Sequence, residues 1–116
     1  MHLIGSKTED EFREELAASH SALMHGSDRA ELRSALRQRD ADLSRALVVD
    51  WIPEQGEDID EVLLRSEVLH IEIPHDGSSQ TVKSVPLANY LRRRHSRPKR
   101  IRLAVALDML EKGHVQ

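Results

Sequence analysis

The hydrophobic pattern of this chain changes its period near Arg45, and that change most limits the folds open to it. Before Arg45, apolar residues recur every three or four positions, which predicts amphipathic helices. After it, the run ALVVDWI brings β-branched and aromatic residues together, a composition typical of a strand. A chain that switches from a helical to an extended period combines helices with a sheet, so we expect an α+β fold.

Two helices are predicted before the switch. Thr8 and Glu11 have the spacing of a capping box, and the first helix should stop at Gly26 in a left-handed conformation. Ser27 or Asp28 should start the second helix. Its inward residues are Leu32, Ala35, Leu36 and Leu43. Its outward residues, which alternate with acids as on a solvated face, are Arg29, Arg33, Arg37 and Arg39.

Three antiparallel strands are predicted after the switch. The first starts at Leu47 and stops at Pro53, which cannot donate to a sheet ladder. The loop PEQGED follows, then a second strand over 59–64 and a third over 69–73, where apolar residues alternate with polar ones. The segment TVKSV, at 81–85, is a candidate for a short edge strand.

Two further helices close the chain. Pro86 suits the first position of a short third helix, and Ser96 with Pro98 starts a fourth that ends at Gly113. Apolar residues surround most of this last helix, which predicts that it is covered on more than one side. We expect a single domain over 1–116 in the order ααβββαα, a small antiparallel meander packed against helices with the C-terminal helix central. The helix pairs from both ends of the chain should cover one face of the sheet.

The amino-acid composition limits the classes of function that the chain can have. The chain has no cysteine, which excludes a disulfide framework and a thiolate zinc site. The N-terminal residues offer no signal-peptide core, and no run approaches the roughly 18 apolar residues of a membrane span. We therefore expect a cytoplasmic protein that does not bind membranes. Aromatic residues make up only 3% of the chain, which argues against a carbohydrate-cleaving site.

The stretch LVVDWIPEQGEDIDE, from Leu47 to Glu61, holds six carboxylates in its last twelve residues. We expect a projecting acidic loop, anchored by a buried Trp51, that docks on a basic protein surface and speeds association with it. The alternative is a soluble loop that only keeps an edge strand from aggregating. The predicted partner-binding residues are Asp50, Trp51, Glu54, Glu57, Asp58, Asp60 and Glu61.

The same carboxylates raise the alternative of a divalent-metal-dependent hydrolase, because oxygen ligands suit magnesium and calcium. Their spacing does not match the calcium loop, which needs its glycine at the sixth position and a closing glutamate at the twelfth. His70 and Glu72 should share one sheet face, where they could form a two-residue metal or acid–base pair. The prediction remains that the protein has no metal, no cofactor and no catalytic residues.

A basic segment, RRRHSRPKRIR, runs from Arg92 to Arg102 and has seven lysines or arginines in eleven residues. It could neutralise phosphates, which makes a nucleic-acid-binding or regulatory protein the main alternative. Few side chains after Arg102 could distinguish bases, so such binding would not depend on sequence. The residues of this alternative site are Arg92, Arg93, Arg94, Arg97, Lys99, Arg100 and Arg102.

Charge is divided unevenly along the chain. Residues 1–80 hold 18 acids against 8 bases, and residues 81–116 hold 2 acids against 9 bases, within a net charge of −3. Either the two parts attract each other within the fold, or each faces a different partner. We expect a non-enzymatic protein-binding module, such as an inhibitor or immunity-type protein of bacterial kind that binds a basic enzyme or toxin. A monomer and a homodimer both fit the sequence.

Overall fold

The computed structural model describes residues 8–113. The helices are α1 (Glu9–His25), α2 (Ala30–Gln38), α3 (Leu87–Arg92) and α4 (Arg97–Lys112). The strands are β1 (Leu47–Glu54), β2 (Glu57–Leu63), β3 (Glu67–Pro74) and β4 (Thr81–Pro86). All neighbouring strands are antiparallel and lie in chain order, so the sheet is a four-stranded meander with β1 and β4 at its edges. The α+β class and the element order are confirmed, and the TVKSV segment is the fourth strand.

The helix boundaries follow from local capping. The Thr8 hydroxyl accepts a hydrogen bond from the Glu11 amide at 3.2 Å, and the Ser96 hydroxyl caps α4 in the same way. The prediction for Gly26 is wrong, because its φ is −73° and not left-handed. A side chain is excluded there by space: a Cβ would lie 2.7 Å from the Ala22 carbonyl oxygen. Glycine lets the chain turn tightly from α1 into the next segment.

Helices cover both faces of the sheet, and the prediction that they cover one face is wrong. On the first face, the strands contribute Leu47, Leu63 and Val68 to a core with α1, α3 and α4. On the second face, they contribute Val48, Val62 and Leu69 to a core with α1 and α2. Helix α4 packs against α1 and β1, with Leu103, Ala106 and Met109 buried. The sheet is therefore the middle layer, and its strands are apolar on both sides where helices cover them.

Two arginines predicted to face outward lie inward. Arg29, in a 3₁₀ turn before α2, keeps only 10% of its side chain exposed. Arg33 donates to the carbonyl oxygens of Leu23 and Gly26 at 2.7 and 3.1 Å, and so satisfies the C-terminal end of α1. Arg37 and Arg39 are exposed as predicted. Leu43 is half-buried in a separate 3₁₀ turn after α2, and not in α2 itself.

Candidate functional site

The predicted acidic loop is a β-hairpin. Strand β1 continues through Pro53 to Glu54, which pairs with Glu57 at the start of β2. Only Gln55 and Gly56 form the turn, and the φ of Gly56 is +95°, a conformation that glycine adopts without strain. Most of the predicted loop carboxylates are therefore in strands, where successive side chains point to opposite faces of the sheet.

A bulge at Val49 decides which face each residue of β1 takes. Val48 pairs with Val62, but Asp50 pairs with Glu61, so Val49 is an extra residue in β1. Without it, Trp51 would follow Leu47 and Val49 onto the first, buried face. With it, Asp50 takes that face, and Trp51 turns to the second face and keeps 52% of its surface exposed. The prediction of a buried Trp51 is wrong for this reason.

Lys99 joins the acidic stretch to the basic segment on the first face. Its Nζ donates to Asp50 Oδ2 at 2.7 Å and to Glu61 Oε1 at 3.1 Å. The hydroxyl of buried Tyr90 donates to the same Glu61 oxygen at 2.7 Å, and His70 Nδ1 lies 3.5 Å from the other oxygen. These contacts form what we call the Lys99 cluster: Asp50, Glu61, His70, Tyr90 and Lys99.

Ionisation in the Lys99 cluster is set by burial and by these hydrogen bonds. Burial raises the pKa of Glu61, but hydrogen bonds from Tyr90 and Lys99 outweigh it and hold that pKa below its ordinary value. Burial and the Glu61 carboxylate together raise the pKa of Tyr90 to about 12. Burial lowers the pKa of Lys99, but the carboxylate of Asp50 and its other partners raise it above its ordinary value. At neutral pH the cluster contains charged Lys99, charged Glu61 and neutral Tyr90.

A second buried pair lies on the second face. Arg29 Nη2 donates to Asp60 Oδ1, and the Asp60 side chain has no exposed surface. The other carboxylate oxygen of Asp60 is buried without a hydrogen-bond partner. Burial raises the pKa of Asp60, and the Arg29 guanidinium opposes that rise. Asp60 therefore cannot project toward a partner as a loop residue would.

Arg29 also holds Trp51 in place. The guanidinium carbon of Arg29 lies 5.0 Å from the centre of the Trp51 ring, within the range of a cation–π interaction. One face of the indole thus rests on an arginine that is itself fixed by Asp60. The opposite part of the ring faces solvent, next in sequence to Ile52, which is 40% exposed. The hairpin therefore presents an exposed tryptophan whose ring rests against an arginine.

The other members of the acidic stretch lie at the end of the hairpin. Asp58 is 3.1 Å from His75 Nε2, at the end of β3. Glu54 is exposed and Glu57 is half-buried, and neither forms an ion pair with any residue between 8 and 113. Glu54 and Glu57 therefore place two uncompensated carboxylates at the tip.

The basic segment, like the acidic stretch, has some side chains that contact the rest of the fold and others that are exposed. Lys99 is in the cluster, and Arg102 lies over the Phe12 ring and donates to the Val49 carbonyl oxygen at 3.3 Å. The remaining five arginines are exposed: Arg92, Arg93, Arg94, Arg97 and Arg100. The acidic stretch and the basic segment thus meet within the fold only through the two residues that face β1.

Among the surface grooves lined by residues 8–113, two flank the sheet. One, of about 420 Å³, lies between α1 and β1 and is lined by three predicted site residues, Asp50, Trp51 and Arg102. The other, of about 590 Å³, is lined by the segments 39–45 and 64–69 and contains none of the predicted site residues. A partner bound at Trp51 could therefore also fill the first groove.

Sequence reasoning missed two residues that organise these sites. The sequence indicates Tyr90 only as a residue of the short third helix, and the hydrogen bond from its hydroxyl to Glu61 has no signal in the sequence. Arg29 was placed on a solvated face because it alternates with acids. The exposure of Ile52 was also missed, since it stands in an apolar run. Only the pairing of distant segments shows these roles.

Comparison of the chain with family models, curated proteins and solved structures found no match. Within residues 8–113 no helix is long and apolar enough to cross a membrane. The same residues contain no group of three or more histidine, aspartate or glutamate side chains that could hold a metal ion.

Proposed function

We propose that this protein is a non-enzymatic binding module that docks on a basic protein through the β1–β2 hairpin. The observation that carries the proposal is the exposure of Trp51 beside Ile52, at 52% and 40% of their surfaces. Tryptophan is enriched among the residues that contribute most to the binding energy of interfaces. Its contribution to affinity is larger when the side chain already has its bound orientation before the partner arrives. Arg29 supplies that support from beneath the ring.

Docking through side chains fits the hairpin better than addition of a strand. Strand β1 is at the edge of the sheet, where its backbone could template another strand. Pro53 lies in this strand and has no N–H, so it interrupts the ladder that an added strand would need. Trp51 and Ile52 are consecutive and point to opposite faces. A partner that covers both has to enclose the hairpin, as a cleft would.

The charge of the tip favours a basic cleft. Residues 51–56 are all exposed, and Glu54 and Glu57 have no counterion among the described residues. Uncompensated carboxylates at a projecting tip steer association with a positively charged surface. A hairpin that enters a basic cleft would block it, which is the action of an inhibitor or immunity-type protein on a basic enzyme or toxin. This is the form of the proposed function that we favour.

Affinity capture with matched variants tests the proposal. The wild type, Trp51→Ala and Leu91→Ala are immobilised in parallel and exposed to native lysate. Leu91 is a suitable control because it is 43% exposed but lies on α3. We expect a basic protein that the wild type and Leu91→Ala retain and Trp51→Ala loses. Equal retention by all three proteins would mean that the hairpin is not the binding surface.

Titration with the purified partner then measures the energetics. Calorimetry measures Kd for every variant, and in the proteins that keep Trp51, the only tryptophan of the chain, its fluorescence also reports the hairpin once the partner signal is subtracted. Loss of a tryptophan hot spot costs about 2 kcal/mol or more, so Trp51→Ala should weaken Kd at least about 30-fold. Replacing Glu54 and Glu57 with glutamine should slow association, whereas the same change at exposed Glu14 and Glu111 should not.

A further inference from the structure

Five arginines of the basic segment form a surface that the hairpin does not use. We call it the arginine turn: Arg92, Arg93, Arg94, Arg97 and Arg100. All five are exposed, and none forms an ion pair with a carboxylate between residues 8 and 113. Asp50 and Glu61, the sheet carboxylates that contact the basic segment, are already paired with Lys99. The positive charge of the turn therefore remains uncompensated within the described fold.

The backbone under these arginines is fixed. The Tyr90 carbonyl oxygen accepts from the Arg93 amide at 3.1 Å and lies 2.8 Å from His95 Nε2. The rings of Tyr90 and His95 pack with their centres 4.9 Å apart, and Ser96 caps α4 immediately after them. Tyr90 is itself buried and bonded to Glu61. Five like charges thus lie within the nine residues 92–100 of a hydrogen-bonded backbone, and they repel one another unless an anionic partner is present.

We propose that the arginine turn binds the phosphate backbone of duplex nucleic acid without distinguishing its sequence. Every member is an arginine, whose planar guanidinium matches phosphate oxygens with two parallel hydrogen bonds. The placement of α4 favours contacts to the backbone over readout of bases: beyond Arg102 its residues Leu103, Ala106 and Met109 are buried against the protein, so that face cannot enter a major groove.

Two other partners fit the turn less well. Single strands are held by stacking on exposed aromatic rings, and Tyr90, the tyrosine of α3 that lies beneath the arginine turn, is only 1% exposed. An acidic protein would need an apolar centre to its interface, and the turn offers only the neighbouring Leu91. The proposal is independent of the hairpin function, because the hairpin residues and the arginine turn share no side chain.

The salt dependence of binding gives the proposal a magnitude. Each neutralised phosphate contributes about −0.9 to the slope of log affinity against log salt on a duplex. Five contacts give a slope of about −4.5, so a rise from about 50 to 200 mM salt should weaken binding about 500-fold. A variant that keeps only two of the five arginines should lose only about 12-fold in affinity over the same range of salt.

Fluorescence anisotropy of a labelled random-sequence duplex tests this with the full chain. The test variant replaces Arg92, Arg94 and Arg97 with glutamine. The control replaces Arg37, Arg39 and Arg65, which are also exposed, so both variants change the net charge from −3 to −6. Circular dichroism melts establish that each variant is folded. We expect the test variant to lose at least about tenfold in affinity at low salt, with a shallower slope, and the control to keep the slope of the wild type.

Three results would overturn the proposal. The first is a wild-type protein that does not bind the duplex at about 50 mM salt. The second is an equal loss of affinity in both variants, which would show that net charge acts and the turn does not. The third is arginine-dependent binding to polyglutamate or to anionic vesicles that is tighter than binding to the duplex, which would assign the turn to another partner.

Discussion

Removal of Arg29 tests the link between the buried Asp60 and the exposed Trp51. The change Arg29→Met leaves a carboxylate with no exposed surface and no counterion. Breaking a buried ion pair from one side costs about 3 to 5 kcal/mol. We expect the lower end, about 3 kcal/mol, because Arg29 itself keeps 10% of its side chain exposed and water can reach it. For a chain of this size that loss corresponds to a fall in Tm of about 12 °C.

The dependence of that loss on pH identifies its cause. Burial already raises the pKa of Asp60, and the loss of Arg29 raises it further. A carboxyl whose pKa is higher in the folded than in the unfolded state reduces stability as pH rises between those two values. The free energy lost in Arg29→Met should therefore be larger at pH 7 than at about pH 5, where the folded variant can hold the proton.

Urea unfolding followed by circular dichroism measures these differences without relying on Trp51, whose surroundings the substitution changes. Adding Asp60→Asn to Arg29→Met removes the buried charge that has no counterion and should recover about half of the lost free energy of unfolding. Arg37→Met, at an exposed position of α2, should stay within about 0.5 kcal/mol of the wild type. A loss below about 1 kcal/mol, or one that does not change with pH, would refute the argument that Asp60 depends on Arg29.

Three further predictions concern the first face and the hairpin turn. Tyr90→Phe should cost about 2 kcal/mol in urea unfolding, because it removes a buried hydrogen bond to the charged Glu61; an unchanged midpoint would contradict that bond. Because the pKa of Glu61 is lowered in the folded protein, ionised Glu61 stabilises the fold fully above the pKa that it has in the unfolded chain, and this stabilisation is lost as acid protonates the folded protein. Glu61→Gln should therefore make the fall in the free energy of unfolding below about pH 5 less steep. Gly56→Ala should cost about 1 to 2 kcal/mol from its φ alone, since no atom lies within 4 Å of the added Cβ, and Gly56→Asn should cost less.

Features that depend only on neighbouring residues could be predicted from the amino-acid sequence alone. The caps at Thr8 and Ser96 join atoms three positions apart, so the starts of α1 and α4 could be predicted. The alternation of apolar and polar residues predicted the strands. The hydrophobic periods on either side of Arg45 predicted the α+β class and the element order. These are short-range effects, in which propensity and capping act within a few residues.

The tertiary structure decided which side chains the site presents. Strict alternation along β1 would put Trp51 on the buried first face, and the bulge at Val49 turns it to the other face. The same shift brought Asp50 to Lys99, 49 residues away, while Arg29 reached Asp60 across 31 residues. A bulge reverses every side chain that follows it in the strand, and a buried charge takes its partner from whichever segment packs against it. Neither is a property of local sequence, so the exposed tryptophan and the division of the charges arise only when the strands pair with the bulge in place and the helices pack on the sheet.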